Sequence, residues 1–225
     1  MSPVRRSQTG TGNFSNGMKQ ELLIATKNKK KLKEIKDILS DLKLRITSLA
    51  DYSSTPRIIE NGNTFKKNAI IKAVKIAKSK KKLTLGEDSG ICVDALGGKP
   101  GVYSSRFSGK GKNDSQNNLK LLRLLNGLEN SKRKAHYRCA VAIANSKGLI
   151  AVVEGKCDGV IGFGPKGKHG FGYDPLFIIP KYKKTFAQLG PQIKHMISHR
   201  YRALSKARKT IKDYLGKQKC LKKKI

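Results

Sequence analysis

Residues 83–90 read LTLGEDSG and carry two adjacent carboxylates directly after a short apolar run. Leu83–Leu85 predicts a buried strand, and successive side chains of an extended chain point to opposite faces. A turn at Ser89–Gly90 would interrupt the strand geometry, so Glu87 and Asp88 would not have to point to opposite faces. Carboxylates at a strand end suit Mg²⁺, and one of them could accept a proton from an attacking water. Taken alone, the motif also fits an ordinary polar turn.

Working outward from this stretch, strands alternate with helices. Hydrophobic periodicity predicts strands over residues 21–26, 44–49, 83–85, 91–96, 137–144, 149–154 and 176–179, and helices over 29–39, 64–80, 117–125 and 198–215. Asn145–Gly148 predicts a β-hairpin turn, and residues 155–175 a glycine-rich loop. The order predicts an α/β domain over residues 20–216 with a mixed sheet. Residues 1–19 are predicted to be a disordered leader, with Met18 as an alternative start, and residues 217–225 a basic tail.

Composition limits the class of protein. The chain has 225 residues, of which 37% are hydrophobic, and no apolar run approaches the length of about 20 residues that a membrane span needs. Residues 1–17 lack the apolar segment of a secretory signal. The four cysteines are widely spaced and form no C-x-x-C pair, which disfavours a zinc site and a disulfide framework. We therefore expect a cytoplasmic protein without a membrane partner.

The formal net charge of +34 would attract polyanions, and nucleic acid is the usual candidate. The lysines, however, are spread along the whole chain, and only 6% of residues are aromatic. Nucleic-acid readout more often uses arginines interleaved with aromatic side chains. Specific binding of nucleic acid is therefore not expected, although a nucleic-acid-binding protein is the second hypothesis.

Two stretches are candidates for holding phosphate. Residues 162–169 nearly match a Walker P-loop, but His169 stands where a magnesium-binding hydroxyl is required, and no helix start follows. Thr26-Lys27-Asn28 follows the first strand directly, and Lys29, Lys30 and Lys31 begin a helix. A strand–loop–helix turn directs free backbone N–H groups and a positive helix end toward an anion. An ordinary turn with solvated lysines explains this second stretch as well.

Two further segments carry polar groups that could complete a site. Glu60 precedes the long predicted helix and Lys72 lies two turns into it, so Glu60 is a candidate to join the acidic pair in one metal site. His199-Arg200 begins the last predicted helix, where a basic first turn opposes the helix dipole and hints at function. Phe171-Gly172-Tyr173-Asp174 offers aromatic faces, an acceptor and close backbone approach. A structural turn is the alternative for that loop.

Motifs over residues 25–31, 60–73, 87–90, 93–104, 170–176 and 194–200 follow one another along nearly the whole chain after the leader. In that order they resemble the inosine triphosphate pyrophosphatase family, house-cleaning enzymes that act on non-canonical purine nucleotides. The resemblance implies an elongated α/β fold with flanking helices, two lobes around a central cleft, and a homodimer. It implies Mg²⁺-dependent hydrolysis of ITP, dITP and XTP to the monophosphate and diphosphate. An enzyme of the same type acting on a modified pyrimidine nucleotide is a third hypothesis.

The resemblance also implies roles for individual residues. Asp88 would be the proton acceptor, and Glu60, Glu87 and Asp88 would bind or orient Mg²⁺. The nucleoside triphosphate would contact the residues of the two phosphate-binding segments and of the base pocket: Thr26, Lys27, Asn28, Lys29, Lys30, Lys31, Lys72, Ser89, Phe171, Gly172, Tyr173, Asp174, Lys194, His199 and Arg200.

The chain departs from the family pattern at several positions. Many members carry two aspartates where this chain has Glu87-Asp88, so the longer side chain of Glu87 leaves its exact role open. Lys27 stands where glycine is frequent, which changes the phosphate loop. Gln188 replaces a common glutamate, and His195 follows Lys194 where asparagine is frequent.

Overall fold

The computed structural model describes residues 20–109 and 113–222. The predicted leader over residues 1–19 lies outside these ranges, as do residues 223–225 of the predicted basic tail. Among the helices of the described residues, none combines the length and the apolar character that a membrane crossing requires.

Seven strands form one mixed sheet in the order β2-β1-β3-β4-β5-β6-β7. Their bounds are Glu21–Ile24 (β1), Arg45–Ser48 (β2), Thr84–Val93 (β3), Lys134–Asn145 (β4), Gly148–Ile161 (β5), Phe177–Ile179 (β6) and Lys184–Thr185 (β7). β1 pairs in parallel with β2 and β3, and every later pair is antiparallel. The predicted α/β fold with a mixed sheet is confirmed.

Five α-helices flank the sheet: Lys29–Ile38 (α1), Phe65–Lys80 (α2), Asp114–Leu124 (α3), Phe186–Ile197 (α4) and His199–Lys222 (α5). Thr64 caps α2 as predicted, since its hydroxyl accepts a hydrogen bond from the backbone N–H of Lys67. On β4, Cys139, Val141 and Ile143 face α1 and α5. The alternate residues of β4 pack against α2 on the other face. The sheet is therefore covered on both sides at its centre.

The acidic run lies inside a strand and not at its end, so the predicted turn at Ser89–Gly90 is wrong. β3 continues through it, and all ten of its residues pair with β4. The two glycines serve close packing: a Cβ on Gly86 would lie 2.4 Å from the carbonyl oxygen of Ala69, and one on Gly90 would lie 2.3 Å from Ser104 Oγ. Gly90, which is predicted to be part of a turn, is thus required because the neighbouring segment leaves no room for a Cβ.

Other elements also differ from the prediction. β5 extends to Ile161, because residues 156–161, which are predicted to lie in a loop, continue the alternation of exposed and buried side chains. α4 was missed, although Thr185 and Gln188 form a capping box at its start. α5 continues to Lys222, so the first part of the predicted basic tail is helical.

Two large apolar cores lie on either side of a cleft. The first gathers α1, α5 and the β1 half of the sheet. The second gathers α3, β6 and the start of α4, with Phe177 and Phe186 at its centre. β3, β4 and α5 run between the two, which places the acidic run where both halves of the molecule meet.

Candidate active site

The cleft contains a cavity of about 600 Å³ that receives side chains from both halves of the molecule. Sixteen of the residues predicted for the site line it: Thr26, Lys27, Asn28, Lys31, Glu60, Lys72, Glu87, Asp88, Ser89, Phe171, Gly172, Tyr173, Asp174, Lys194, His199 and Arg200. Residues 104 to 106 and Asp114 add polar groups at its wall. Sequence segments far apart in the chain therefore converge on one site.

One end of the cavity is formed by the start of α1. Asn28 caps the helix, because its Oδ1 accepts a hydrogen bond from the backbone N–H of Lys31 at 3.1 Å. The Thr26 hydroxyl in turn accepts one from the backbone N–H of Asn28. The first turn of α1 has no acidic residue. Its positive end and Lys31 therefore give this end of the cavity the character of an anion site.

Asp88 lies beside this end, on the face of β3 that packs against α2. Its Oδ1 is 3.2 Å from Lys72 Nζ, and its Oδ2 accepts a hydrogen bond from Asn68 Nδ2 at 3.1 Å. Glu60 contacts the same Lys72 ammonium at 2.7 Å. Burial raises the pKa of Asp88 above its usual range, despite the opposing attraction of Lys72. Asp88 is therefore a carboxylate held ready to take a proton.

Glu87 points to the opposite face of β3. Its Oε2 is 2.8 Å from Lys31 Nζ, and its Oε1 is 3.1 Å from Arg200 Nη2. Burial alone would raise the pKa of Glu87, but Lys31 and Arg200 hold it well below its usual range. Arg200 Nη2 also donates to Ser89 Oγ at 2.8 Å. Glu87 is therefore a carboxylate whose charged form is stabilised between two cations.

The other end of the cavity is a buried network around Lys194. Its ammonium donates to Glu34 Oε1 at 2.8 Å and to Asp174 Oδ2 at 2.6 Å. Glu34 also accepts a hydrogen bond from Arg200, so it joins the two cations. Phe171 lies beneath them, with its ring centroid 4.8 Å from Lys194 Nζ. This end presents an aromatic face framed by buried charges.

His199 completes this end as a neutral ring. It stacks on Tyr137, with ring centroids 4.5 Å apart and planes 7° apart. Burial, with the positive charges of Arg200 and Lys194, lowers the pKa of His199 well below its usual value. Its Nδ1 is buried without a hydrogen-bond partner in the described part of the chain, and the same holds for Arg200 Nε. Two adjacent side chains of the cavity wall thus each retain a buried nitrogen without a partner among the described residues.

With this geometry in view, comparisons with known proteins identify the family. Residues 22–210 match the family model described as the Ham1 family. The chain belongs to the Ham1 family. The family membership that the sequence motifs predicted is thereby confirmed.

Curated relatives and solved structures agree with this assignment. The chain is 48% identical over 187 residues to the dITP/XTP pyrophosphatase of Desulforamulus reducens, covering 83% of this chain and 93% of that protein. It is 44% identical over 192 residues to that of Bacillus subtilis, covering 85% and 97%. The structure of the Staphylococcus aureus Ham1 protein superposes with a TM-score of 0.78 at 35% identity, covering 87% of this chain and 100% of that one. The structure of a HAM1 protein from Coxiella burnetii gives 0.78 at 38% identity, covering 86% and 99%.

The three carboxylates predicted to bind or orient Mg²⁺ do not all lie together in this Ham1 chain. Strand alternation sends Glu87 and Asp88 to opposite faces of β3, because the expected turn does not form. Among residues 20–109 and 113–222, no group of three or more His, Cys, Asp or Glu side chains is arranged to hold a metal ion. Glu60 and Asp88, which share Lys72, are the two carboxylates that remain together.

These two carboxylates nevertheless fit Mg²⁺. This ion takes hard oxygen ligands, often one or two carboxylates together with substrate phosphates and water. The pKa of Asp88 is raised by burial, so the negative charge of this carboxylate is incompletely balanced by Lys72. The Glu60 side chain is 39% exposed and faces the same ammonium, so the pair is open toward the cavity. The chemistry of the donor set therefore suits a magnesium–nucleotide complex.

Two of the predicted phosphate ligands lie outside the cavity wall. Consecutive residues of an α-helix are rotated by about 100°, so the three lysines at the start of α1 cannot all face the cavity. Lys31 faces inward, whereas Lys29 does not line the cavity. The Lys30 side chain is 63% exposed and lies at the rim, 3.9 Å from Asp114.

Several polar residues of the Ham1 site were missed by sequence reasoning. Glu34 lies three residues after Lys31 on α1, a spacing that places both on one helix face. Asn68 lies four residues before Lys72 on α2 and donates to the same carboxylate. Asp114 accepts a hydrogen bond from the backbone N–H of Gly172 at 2.8 Å and so supports the loop that carries Phe171. Helical spacing from a known site residue was the available signal for the first two.

Proposed function

We propose that this chain hydrolyses purine nucleoside triphosphates with a keto group at position 6, namely ITP, dITP and XTP, to the monophosphate and diphosphate. The observation that carries the proposal is the partition of one cavity into an anion-binding end at α1 and a polar, aromatic end at His199. The names of the curated relatives, dITP/XTP pyrophosphatase, support the same activity.

At the phosphate end, side chains of the protein would bind the triphosphate and neutralise its charge. Lys31, Lys72 and the N-terminus of α1 would hold the triphosphate. The triphosphate carries about four negative charges near neutral pH. Neutralising this charge is the largest contribution to catalysis of phosphoryl transfer. Glu60 and Asp88 would hold Mg²⁺, which supplies further charge neutralisation and an acidified water when it is bound.

Asp88 performs the proton transfer. Its carboxylate accepts the proton of the attacking water as the bridge between the α- and β-phosphorus atoms is cleaved, and diphosphate leaves. Asn68 and Lys72 each contact one oxygen of this carboxylate and fix its orientation.

At the base end the purine would stack on Phe171. His199 and Arg200, which line this end of the cavity, would supply hydrogen-bond donors to a 6-keto oxygen. Adenine carries an amino group at that position, which would leave these buried donors unsatisfied. Such a loss costs a substrate far more than an unfavourable apolar contact does, so ATP is expected to be a poor substrate.

The test is a panel of ITP, dITP, XTP, GTP and ATP with Mg²⁺, in which diphosphate and orthophosphate are quantified separately by ion chromatography. Diphosphate release from the 6-keto purines, with a much slower reaction on ATP, is the expected result. Equal rates on ITP and ATP would refute the specificity, and release of orthophosphate would refute the reaction type. Asp88→Asn is expected to lose at least about 10²-fold in kcat.

Three further properties belong to the proposal and follow from the family resemblance. Activity should depend on Mg²⁺ and be lost in EDTA. The protein should be a homodimer, which light scattering after gel filtration would measure. Its location should be the cytoplasm, where the free nucleotide pool is, and cell fractionation would test this.

A further inference from the structure

We infer that Glu87 is a positioning residue that determines base specificity by linking the phosphate end of the cavity to the base end. Its carboxylate holds Lys31 on one side and Arg200 on the other, so events at one end change the donors available at the other. The inference rests on the proposed function and assigns Glu87 a role other than magnesium binding.

The geometry of the Glu87 carboxylate leaves little freedom. Its side chain is 1% exposed, with Lys31 at 2.8 Å from one oxygen and Arg200 at 3.1 Å from the other. The Cys139 thiol is 3.3 Å from the oxygen that Arg200 also contacts. A carboxylate only accepts hydrogen bonds, so the thiol is the donor. Three donors from α1, α5 and β4 therefore fix one side chain.

Lys31 and Arg200 belong to opposite ends of the cavity. Lys31 lies at the capped N-terminus of α1, where the triphosphate is expected. Arg200 contacts Ser89 and Glu34 as well, and its Nε lacks a partner in the described part of the chain. No other side chain described in the structure forms an ion pair with both cations. A charge shared in this way makes the two ends energetically dependent on each other.

Binding of a triphosphate would act on Arg200 through the contacts of Glu87. A triphosphate bound at the start of α1 would fix the Lys31 ammonium, which contacts Glu87. Through Glu87, this would fix the Arg200 guanidinium in the position from which it meets the base. By linkage, a base that engages Arg200 must change the affinity of the phosphate end by the same factor.

The length of the side chain supports this role. Glutamate carries one methylene more than aspartate. The additional methylene allows the carboxylate to reach α1 and α5 together from a central strand. Glu87→Asp keeps the charge and shortens the reach, so it separates the bridging geometry from the mere presence of a negative charge.

The experiment compares Lys31→Met with Lys27→Met by the ratio of kcat/KM for ITP to that for ATP. Both variants lose one lysine charge from the phosphate end of the cavity, but of these two lysines only Lys31 contacts Glu87. We expect Lys31→Met to lower the ITP/ATP ratio by about 5-fold or more, a typical size for coupling between two sites. Lys27→Met should reduce both kcat/KM values alike and leave the ratio unchanged.

Variants at Glu87 extend the test. Glu87→Asp should lower the ratio as Lys31→Met does, and adding Lys31→Met to Glu87→Gln should change the ratio no further. If Glu87→Gln does not fold, the Lys31 and Lys27 variants still decide. An ITP preference that survives Lys31→Met refutes the inference alone. A wild-type enzyme without any preference for ITP refutes the proposed function and the inference with it.

Discussion

Replacing Asp88 by asparagine is expected to stabilise the fold, whereas the same chemical change at its neighbour, Glu87→Gln, is expected to destabilise it. Both substitutions convert a buried carboxylate into an amide of nearly the same shape. They differ in what the charge contacts. Asp88 has one ammonium at 3.2 Å that it shares with Glu60, while Glu87 has Lys31 and Arg200 on separate oxygens.

The signs follow from the two pKa shifts. A carboxyl whose pKa is higher in the folded than in the unfolded chain costs stability when ionised, and that cost is absent only below the unfolded pKa. Asp88 is of this kind, because its burial outweighs the attraction of Lys72. Glu87 is the reverse: its pKa is held well below 4.5, so it stabilises the fold above that pH. The stabilisation is lost only as the pH falls through the lowered value.

Asp88→Asn should raise the free energy of unfolding, and with it Tm, because the cost of ionising this buried carboxyl is removed. The magnitude for Glu87→Gln follows from the contacts of its charge. Glu87→Gln leaves the buried guanidinium of Arg200 short of its counter-charge. Breaking a buried ion pair in this way costs about 3–5 kcal/mol, which lowers Tm by at least about 6 °C.

Thermal unfolding of both variants and the wild type at pH 7, in EDTA and without nucleotide, measures the two effects. Circular dichroism and a second probe should give coincident transitions. A lower Tm for Asp88→Asn would refute the view that this carboxylate is held at a cost to stability. An unchanged Tm for Glu87→Gln would refute the electrostatic description of the whole Glu87 cluster.

Other predictions concern the sheet and its edges. Burial alone would raise the pKa of Glu21, but hydrogen bonds from Lys82, Thr47 and Tyr52 lower it to about 2; Glu21→Gln should therefore be less stable than wild type above pH 4.5, and the difference should vanish as the pH falls toward 2 in urea titrations. Gly86→Ala should lower the free energy of unfolding by about 1–3 kcal/mol, because the new Cβ would collide with α2. Gly216→Ala, in open space on α5, should raise the free energy of unfolding by up to about 1 kcal/mol. Equal effects of the two substitutions would contradict the packing argument. Cys139→Ala should lower the ITP/ATP ratio, and Cys139→Ser, which keeps a donor, should restore it; no difference between the two would show that the thiol only fills space.

Local signals in the sequence predicted some of the caps and turns. Thr64 marks the start of α2 because a hydroxyl there satisfies a free backbone N–H. Asn145 marks the β4–β5 turn, since its side chain accepts hydrogen bonds from the backbone N–H groups of Lys147 and Gly148. In both cases the deciding contact lies within a few residues, which is the range that a sequence pattern can report.

The arrangement of the site could be predicted only in part. Motifs identified most of the residues that line the cavity. They did not show that Glu87 contacts Arg200, which lies 113 positions away in the chain. Nothing in a local pattern shows which carboxylate meets which cation after folding. The same limit explains the error at Ser89–Gly90, because the neighbours that require glycines in β3 come from α2 and from the segment Gly101–Arg106.

The alternation of Glu87 and Asp88 across β3 restricts how this part of the chain can change in length. A shift of one residue in a strand exchanges every side chain between its two faces. A single-residue insertion or deletion between Thr84 and Glu87 would therefore turn Asp88 toward the face of Arg200 and Glu87 toward the face of Lys72. Length variation among descendants of this protein should accordingly be confined to the connections outside β3, where no such exchange follows.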